Sequence, residues 1–109
     1  MRQNNMRVYQ KSLELLKLIH QTIQRLPSGY AFLADQMRRA SSSVPCNISE
    51  GLGRNSLRDQ RRFFGIARGS VYEVAALFDV ALSFELIDAD IYQQAHDKCD
   101  HIAAMLSKL

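Results

Sequence analysis

The sequence has few residues that break helices or crosslink chains. Its 109 residues include two prolines, five glycines and two cysteines, and no apolar run approaches the roughly 20 residues that a membrane-spanning helix needs. The start, MRQNNMRVYQKSLELLKLIHQ, also lacks the continuous apolar segment of a signal peptide. We therefore expect a cytoplasmic protein with no membrane association. Cys46 and Cys99 lack CxxC spacing, which favours two reduced, partly buried thiols over a disulfide or a zinc site.

Patterns of catalytic and metal-binding residues are missing as well. His96 and His101 are five residues apart, so they diverge on a helix, and His20 has no neighbouring ligand. No Ser, Cys or Thr stands in a nucleophile context. The GLGR segment follows a predicted helix rather than a strand, so it matches no phosphate-binding loop. We predict a non-enzymatic protein with no catalytic residues, no cofactor and no metal.

The composition is that of an ordinary globular protein, with 47% hydrophobic and 23% charged residues. We expect one domain, residues 1–109. The net charge of +3 hides an asymmetry along the chain. Residues 1–70 contain twelve Lys or Arg and four acids, whereas residues 71–109 contain two Lys and seven acids. A basic half is thus joined to an acidic half.

Apolar residues at three-or-four spacing predict four helices. The first is expected from about Asn5 to Leu26 and is closed by LPSGY, where Gly29 allows a left-handed turn. The second begins near Ala31. Its apolar spacing continues through Pro45, which indicates one helix with a kink rather than two helices.

The third and fourth helices have recognisable N-caps. Ser56 followed by Asp59 resembles a capping box, and Asp88 is the expected cap of the fourth helix. The third helix has a heptad seam of Leu57, Phe64, Val71 and Phe78, with Ala67, Val74 and Ala81 between them. It also has a second apolar stripe: Phe63, Ile66, Leu77 and Phe84. Because the core of a single bundle does not bury both the seam and the second stripe, the second stripe predicts a homo-oligomer.

No segment alternates with period two for long enough to form a strand. Four helices with short connections predict an all-α, up-and-down antiparallel four-helix bundle whose second helix is kinked at Pro45.

The segment from Leu33 to Ala81 resembles the signature of small four-helix-bundle proteins encoded in intervening sequences of bacterial large-subunit rRNA genes. The matching positions are Gln36, Arg38, Arg39, Ala40, Ser43, Val44, Asn47, Glu50, Gly51, Gly53, Arg54, Phe64, Ala67, Arg68, Gly69, Ser70 and Glu73. The resemblance implies an up-and-down bundle that assembles as a ring-shaped homopentamer. It also implies distant kinship with the accessory proteins of diversity-generating retroelements, basic bundles that bind nucleic acid and a reverse transcriptase.

Arginines form the candidate nucleic-acid-binding face: Arg38, Arg39, Arg54, Arg58, Arg61 and Arg62. Arginine suits bidentate phosphate contact, and the last three lie on one side of the third helix. Two other interpretations remain open. The arginines form a solvated surface, or they meet the acidic fourth helix of a neighbouring subunit.

A second group surrounds the proline: Ser43, Pro45, Asn47, Glu50, Arg68 and Ser70. We interpret it as a structural network in which serine hydroxyls bond to backbone carbonyls near the kink, and in which Asn47 and Glu50 hold Arg68 or Ser70 of the next helix. The alternative is a ligand site lined by Asn47, Glu50 and Arg68.

The predicted function is that of a non-enzymatic oligomeric scaffold that associates with nucleic acid, RNA in preference to DNA, through the basic face. The alternative is a protein-interaction scaffold whose ring recruits a partner protein and binds no nucleic acid.

Overall fold

The chain forms four helices joined by short turns. A computed structural model describes the backbone of residues 2–109 and the side chains of residues 5–109. The helices are α1 (Arg2–Gln24), α2 (Ala31–Leu52), α3 (Leu57–Ser83) and α4 (Ala89–Ser107), and the described range contains no strand. The all-α prediction is confirmed. None of the four described helices is both long and apolar enough to cross a membrane.

Each helix packs on two neighbours. α1 packs beside α2 and α4, and α3 packs beside the same two, whereas the Cα atoms of the diagonal pairs lie more than 8 Å apart within the described range. This is the expected up-and-down bundle, 45 Å along its longest axis. α2 runs through Pro45 without interruption, as its apolar periodicity predicts; the bend at Pro45 stays a prediction.

The predicted heptad seam of α3 forms the centre of the core. Phe64, Ala67, Val71, Val74, Phe78 and Ala81 are all buried. Leu57 is an exception, with 48% of its surface exposed, because it is the first residue of α3 and lies at the helix end. The second stripe divides: Leu77 is buried and Phe63 half-buried, while Ile66 and Phe84 are exposed. This leaves apolar surface on the outside of α3.

The predicted N-caps of α3 and α4 are confirmed. The Ser56 hydroxyl accepts a hydrogen bond from the Asp59 amide at 3.1 Å, and the Asp88 carboxylate accepts one from the Ile91 amide at 2.8 Å. Each satisfies an amide that the first helical turn leaves without a backbone partner. Both turns are therefore fixed by local sequence.

α1 ends at Gln24, two residues before the predicted end. The amides of Arg25 and Leu26 donate to carbonyls three residues back, so the last turn tightens before Pro27. Gly29 has φ 99°, the left-handed conformation expected for it. The LPSGY segment closes the helix as predicted.

α3 ends in a left-handed residue that is not glycine. Glu85 has φ 59°, and the Leu86 amide donates to the Ala81 carbonyl at 2.9 Å while the Glu85 amide donates to the Leu82 carbonyl at 2.9 Å. This is the Schellman pattern, whose left-handed position is usually glycine. An L residue with a long side chain is strained there.

Glu85→Gly is therefore expected to raise the free energy of unfolding, by about 0.5–1 kcal/mol, because glycine adopts this conformation without the steric penalty. Chemical denaturation followed by circular dichroism measures the change. Glu85→Ala is the control, since it removes the same carboxylate but keeps a Cβ. Equal stabilities for the Gly and Ala variants would show that the backbone at this position is not strained.

Candidate nucleic-acid interface

Four of the six predicted arginines lie together at the end of the bundle formed by the α2–α3 turn. Arg54 follows α2, and Arg58, Arg61 and Arg62 lie in the first turns of α3. All four are exposed. We call these four residues the basic end. The turn that holds them is braced by the Gln60 side-chain amide, which donates to the Arg54 carbonyl at 3.0 Å.

An aromatic ring orders two of these guanidinium groups. The Cζ atoms of Arg54 and Arg62 lie 4.6 Å and 4.4 Å from the centroid of the half-buried Phe63 ring. Stacking of this kind holds a guanidinium group by cation–π attraction while its N–H groups stay available at the ring edge. Phe63, from the predicted second stripe, thus supports the basic end instead of packing in the core.

Few acidic side chains lie close enough to neutralise the basic end. Glu50 pairs with Arg54 at 3.2 Å, and Asp59 lies in the first turn of α3. Within residues 5–109, Arg58 and Arg61 form no ion pair. Exposed guanidinium groups without carboxylate partners are free to contact phosphate oxygens.

Arg38 and Arg39 lie elsewhere. Arg39 precedes the end of α2 at Leu52 by 13 residues, a distance of about 20 Å along the helix. Arg38 also has a local partner, Asp35, at 3.2 Å. The six predicted arginines therefore form two separate groups, because the part of α2 between Arg39 and Leu52 holds Arg38 and Arg39 apart from the other four.

The charge asymmetry of the sequence becomes an asymmetry along the bundle axis. The end opposite the basic end carries the α1–α2 and α3–α4 turns. The acidic residues of this end are Asp35, Asp79, Glu85, Asp88 and Asp90. The basic residues nearest to it are Arg25 and, farther from the turn, Arg38 and Arg39. The antiparallel topology thus separates basic and acidic residues by much of the bundle length.

The network around Pro45 joins α2 to α3 through two serines. The hydroxyls of Ser43 and Ser70 are 2.8 Å apart, and the Asn47 side-chain amide donates to the Ser43 hydroxyl at 2.9 Å and to the Ser43 carbonyl at 2.8 Å. One turn earlier, Ser42 donates to the Arg38 carbonyl at 2.8 Å, as expected for serines beside a helical proline.

Glu50 and Arg68 do not join this network. Glu50 is exposed and pairs with Arg54, and Arg68 donates to the Ser107 hydroxyl of α4 at 3.1 Å. The reason is helical geometry: residues two apart project about 200° from each other, so Ser70 faces α2 while Arg68 faces α4. Of the expected contacts with Arg68 or Ser70, Asn47 reaches Ser70 only through the Ser43 hydroxyl, and no hydrogen bond or ion pair joins Asn47 or Glu50 to Arg68 within residues 5–109.

Gly51 of α2 packs directly against the Phe64 ring of α3. It is buried, and a Cβ built there would lie 2.7 Å from Phe64 Cε1 and 3.2 Å from Phe63 Cβ. No side chain fits in this space without displacing the Phe64 ring. Gly51 matches the family signature, but its role in helix packing can be seen only in the structure.

The two thiols differ in environment. Cys99 is buried, and its burial, together with the nearby Asp100 charge, raises the pKa of the thiol to about 12. Cys46 is exposed, not partly buried as expected. Neither forms a disulfide.

Iodoacetamide is accordingly expected to alkylate Cys46 in the folded protein and to leave Cys99 unmodified until the protein is unfolded in urea, since the thiolate is the reactive form and burial disfavours it. Mass spectrometry of tryptic peptides reads both sites. Equal labelling of the two thiols without denaturant would contradict the packing of α4.

Three side chains form a polar cluster between α3 and α4. The Tyr92 hydroxyl donates to Asp79 Oδ1 at 2.7 Å, and His96 Nε2 lies 3.0 Å from the same oxygen. The hydrogen bond to Asp79 is the main cause of a raised Tyr92 pKa. In the part of the chain that the structure describes, no three His, Cys, Asp or Glu side chains are grouped to hold a metal ion.

A family profile described as "23S rRNA-intervening sequence protein" matches residues 4–108. The chain belongs to this family. The match covers nearly the whole sequence and includes both arginine groups and the network around Pro45. No curated protein shows significant similarity to the chain.

A solved structure from Bacteroides thetaiotaomicron, titled as a protein with unknown function from the S23 ribosomal protein family, has the same fold. Its TM-score is 0.89, with 21% sequence identity and 96% of each chain covered. At this identity the likeness concerns the fold alone. The fold of this family member is thus shared along its full length, while the function has to be argued from the site.

Proposed function

We propose that the protein is a non-enzymatic, homo-oligomeric scaffold that binds RNA through its basic end. The observation that carries the proposal is the group of four exposed arginines at the α2–α3 turn, two of them stacked on Phe63. Guanidinium groups held in place lose less conformational entropy when they bind phosphate oxygens. Sequence-independent contact with the nucleic-acid backbone is the mode that such a group supports.

RNA is preferred over DNA because the family description names a sequence within 23S rRNA. The end of a bundle is also small compared with an extended duplex groove. It suits a structured RNA whose phosphates converge from two strands or from a loop.

The apolar residues left on the surface support the homo-oligomeric part of the proposal. Phe32, Ile66, Tyr72 and Phe84 are each exposed by 42–59%, and apolar surface of this kind is commonly covered by another subunit. Five subunits is the number that the family resemblance implies. In an oligomer the basic ends are repeated, which raises the apparent affinity for a long RNA.

Fluorescence anisotropy with a labelled RNA hairpin and a DNA hairpin of the same sequence, at about 50 mM salt, tests the proposal. We expect saturable binding of both and tighter binding of RNA. Absence of binding to either hairpin would refute the nucleic-acid role.

A second candidate function is supported by an aromatic cluster at the opposite end. The Tyr30 ring lies 6.1 Å from the Phe32 ring and 6.2 Å from the Phe84 ring, and Phe32 and Phe84 are half exposed. Exposed aromatic residues are frequent anchors of protein interfaces. In this alternative the scaffold recruits a partner protein there and binds no nucleic acid.

A further inference from the structure

An apolar groove runs between α1 and α2. Its volume is about 510 Å³, and its aliphatic lining comes mainly from α1: Leu13, Leu16, Ile19 and Ile23. Leu13 is 40% exposed. Lys17, His20 and Arg38 also line it, so the groove combines apolar surface with positive charge.

An exposed stripe lies on α3, on the side opposite its buried seam. It consists of Ile66, Gly69, Tyr72, Glu73 and Ala76, all exposed. Ile66 and Tyr72 are 42% and 59% exposed, and no atom lies within 4 Å of a Cβ built on Gly69. The stripe therefore projects an aromatic ring and an aliphatic side chain beside a flat glycine surface. Its acid, Glu73, has no ion-pair partner within residues 5–109.

The groove and the stripe lie at the same height along the bundle. The hydroxyl contact between Ser43 and Ser70 fixes the register of α2 against α3. Ser41 and Ser42, immediately before Ser43, line the groove, and Gly69, immediately before Ser70, is the middle of the stripe. A second copy placed side by side, with its axis parallel, thus presents its stripe to the groove without an axial shift.

The charges of the two surfaces are complementary. Lys17 of the groove has no acidic partner among the described side chains, and Arg38 has only the exposed Asp35. Glu73 supplies the missing negative charge at the stripe. Opposite charges across an apolar contact fix register and disfavour wrong orientations.

We propose that the α3 stripe of one copy docks into the α1–α2 groove of the next copy. This inference rests on the homo-oligomeric part of the proposed function and names the contact that builds the oligomer. Because the two surfaces are unlike, the interface is heterologous, and repeated side-by-side contact at one height closes into a ring by rotation about a parallel axis. Arg38 then contributes to the contact between copies and not to RNA binding at the basic end.

The decisive experiment uses two variants, each blocked on one surface. Gly69→Arg places a long charged side chain on the stripe, and Leu13→Glu places a carboxylate in the groove. Each is expected to sediment as a 12.4 kDa monomer with unchanged helical circular dichroism, because both positions are exposed. Mixed one to one, they should form a heterodimer and nothing larger, since each retains the surface that the other has lost.

Ala104→Glu is the matched control, because it adds a carboxylate at an exposed position of α4 outside both surfaces; it should assemble like the wild type.

Lys17→Glu and Glu73→Lys should each weaken assembly about tenfold or more, and the double variant should restore it. A mixture that stays monomeric, or single variants that keep the wild-type size, would overturn this interface. If the single variants keep the wild-type size, the protein is still a homo-oligomer, but another contact builds it. A monomeric wild type would refute both this interface and the homo-oligomeric part of the proposed function.

Discussion

Replacing Arg58, Arg61 and Arg62 by alanine is expected to weaken RNA binding by roughly 10²- to 10³-fold near 0.1 M salt, whatever the RNA sequence. Each phosphate contact releases counterions equivalent to a slope of about 0.9 in log K against log salt, so three lost contacts flatten the slope by up to ~3. Arg58 and Arg61 form no ion pair with the side chains of residues 5–109, and the Arg62 guanidinium lies 4.4 Å from the centroid of the Phe63 ring. Fluorescence anisotropy at several salt concentrations measures both quantities.

The double variant Arg25→Ala/Arg39→Ala is the control, because it removes positive charge away from the basic end. We expect it to lose less than about threefold in affinity through the change in net charge alone. Equal losses for the control and for a matched Arg58→Ala/Arg61→Ala variant would mean that binding follows overall charge and not the basic end.

The triple variant also separates the two roles left open for these arginines. If they instead face the acidic fourth helix of a neighbour, around Asp90, Asp97 and Asp100, the variant should dissociate, and reversing those acids to lysine should restore assembly. With RNA as their partner, the oligomer keeps its size. Unchanged assembly together with unchanged RNA binding would leave the arginines as solvated surface.

Gly51→Ala is expected to lower the free energy of unfolding by about 1–2 kcal/mol, although alanine is the better helix former by about 1 kcal/mol. The new methyl would lie 2.7 Å from Phe64 Cε1, and Phe64 is buried with 4% exposure. The ring cannot move without disturbing the core seam. Urea denaturation gives the difference from the wild type.

A double-mutant cycle with Phe64→Leu identifies the cause. Leucine removes the ring edge that the methyl meets, so the alanine should cost less in the Phe64→Leu background, with a coupling of about 1 kcal/mol or more. Additive effects would show that the methyl is accommodated without contact with Phe64.

The fold was predictable because local and periodic signals agree. The apolar spacing continued through Pro45, and α2 is one helix. Ser56 and Asp88 act as the caps that their sequence positions indicate. The end of α3 was harder to read, since Glu85 adopts a conformation for which its residue type gives no signal.

The site was predictable only in part. The spacing of Arg58, Arg61 and Arg62 predicts that they lie on one side of α3, as they do at the basic end. Arg38 and Arg39, predicted to share the same face, lie about 20 Å away along α2. The sequence predicts that Glu50 holds Arg68 or Ser70, whereas Glu50 is exposed and pairs with Arg54. The role of Phe63 as a support for two guanidinium groups depends on how α3 packs against the α2 end, which no spacing in the sequence encodes.

The most direct test of the RNA-binding scaffold is a salt titration of wild-type binding to a structured RNA. If the four arginines of the basic end contact phosphate, log K should fall linearly with log salt with a slope of about −3 to −4, so that affinity drops roughly 10²-fold between about 50 and 200 mM. Affinity that is independent of salt, or the absence of detectable RNA and DNA binding at the lowest salt, would contradict the account.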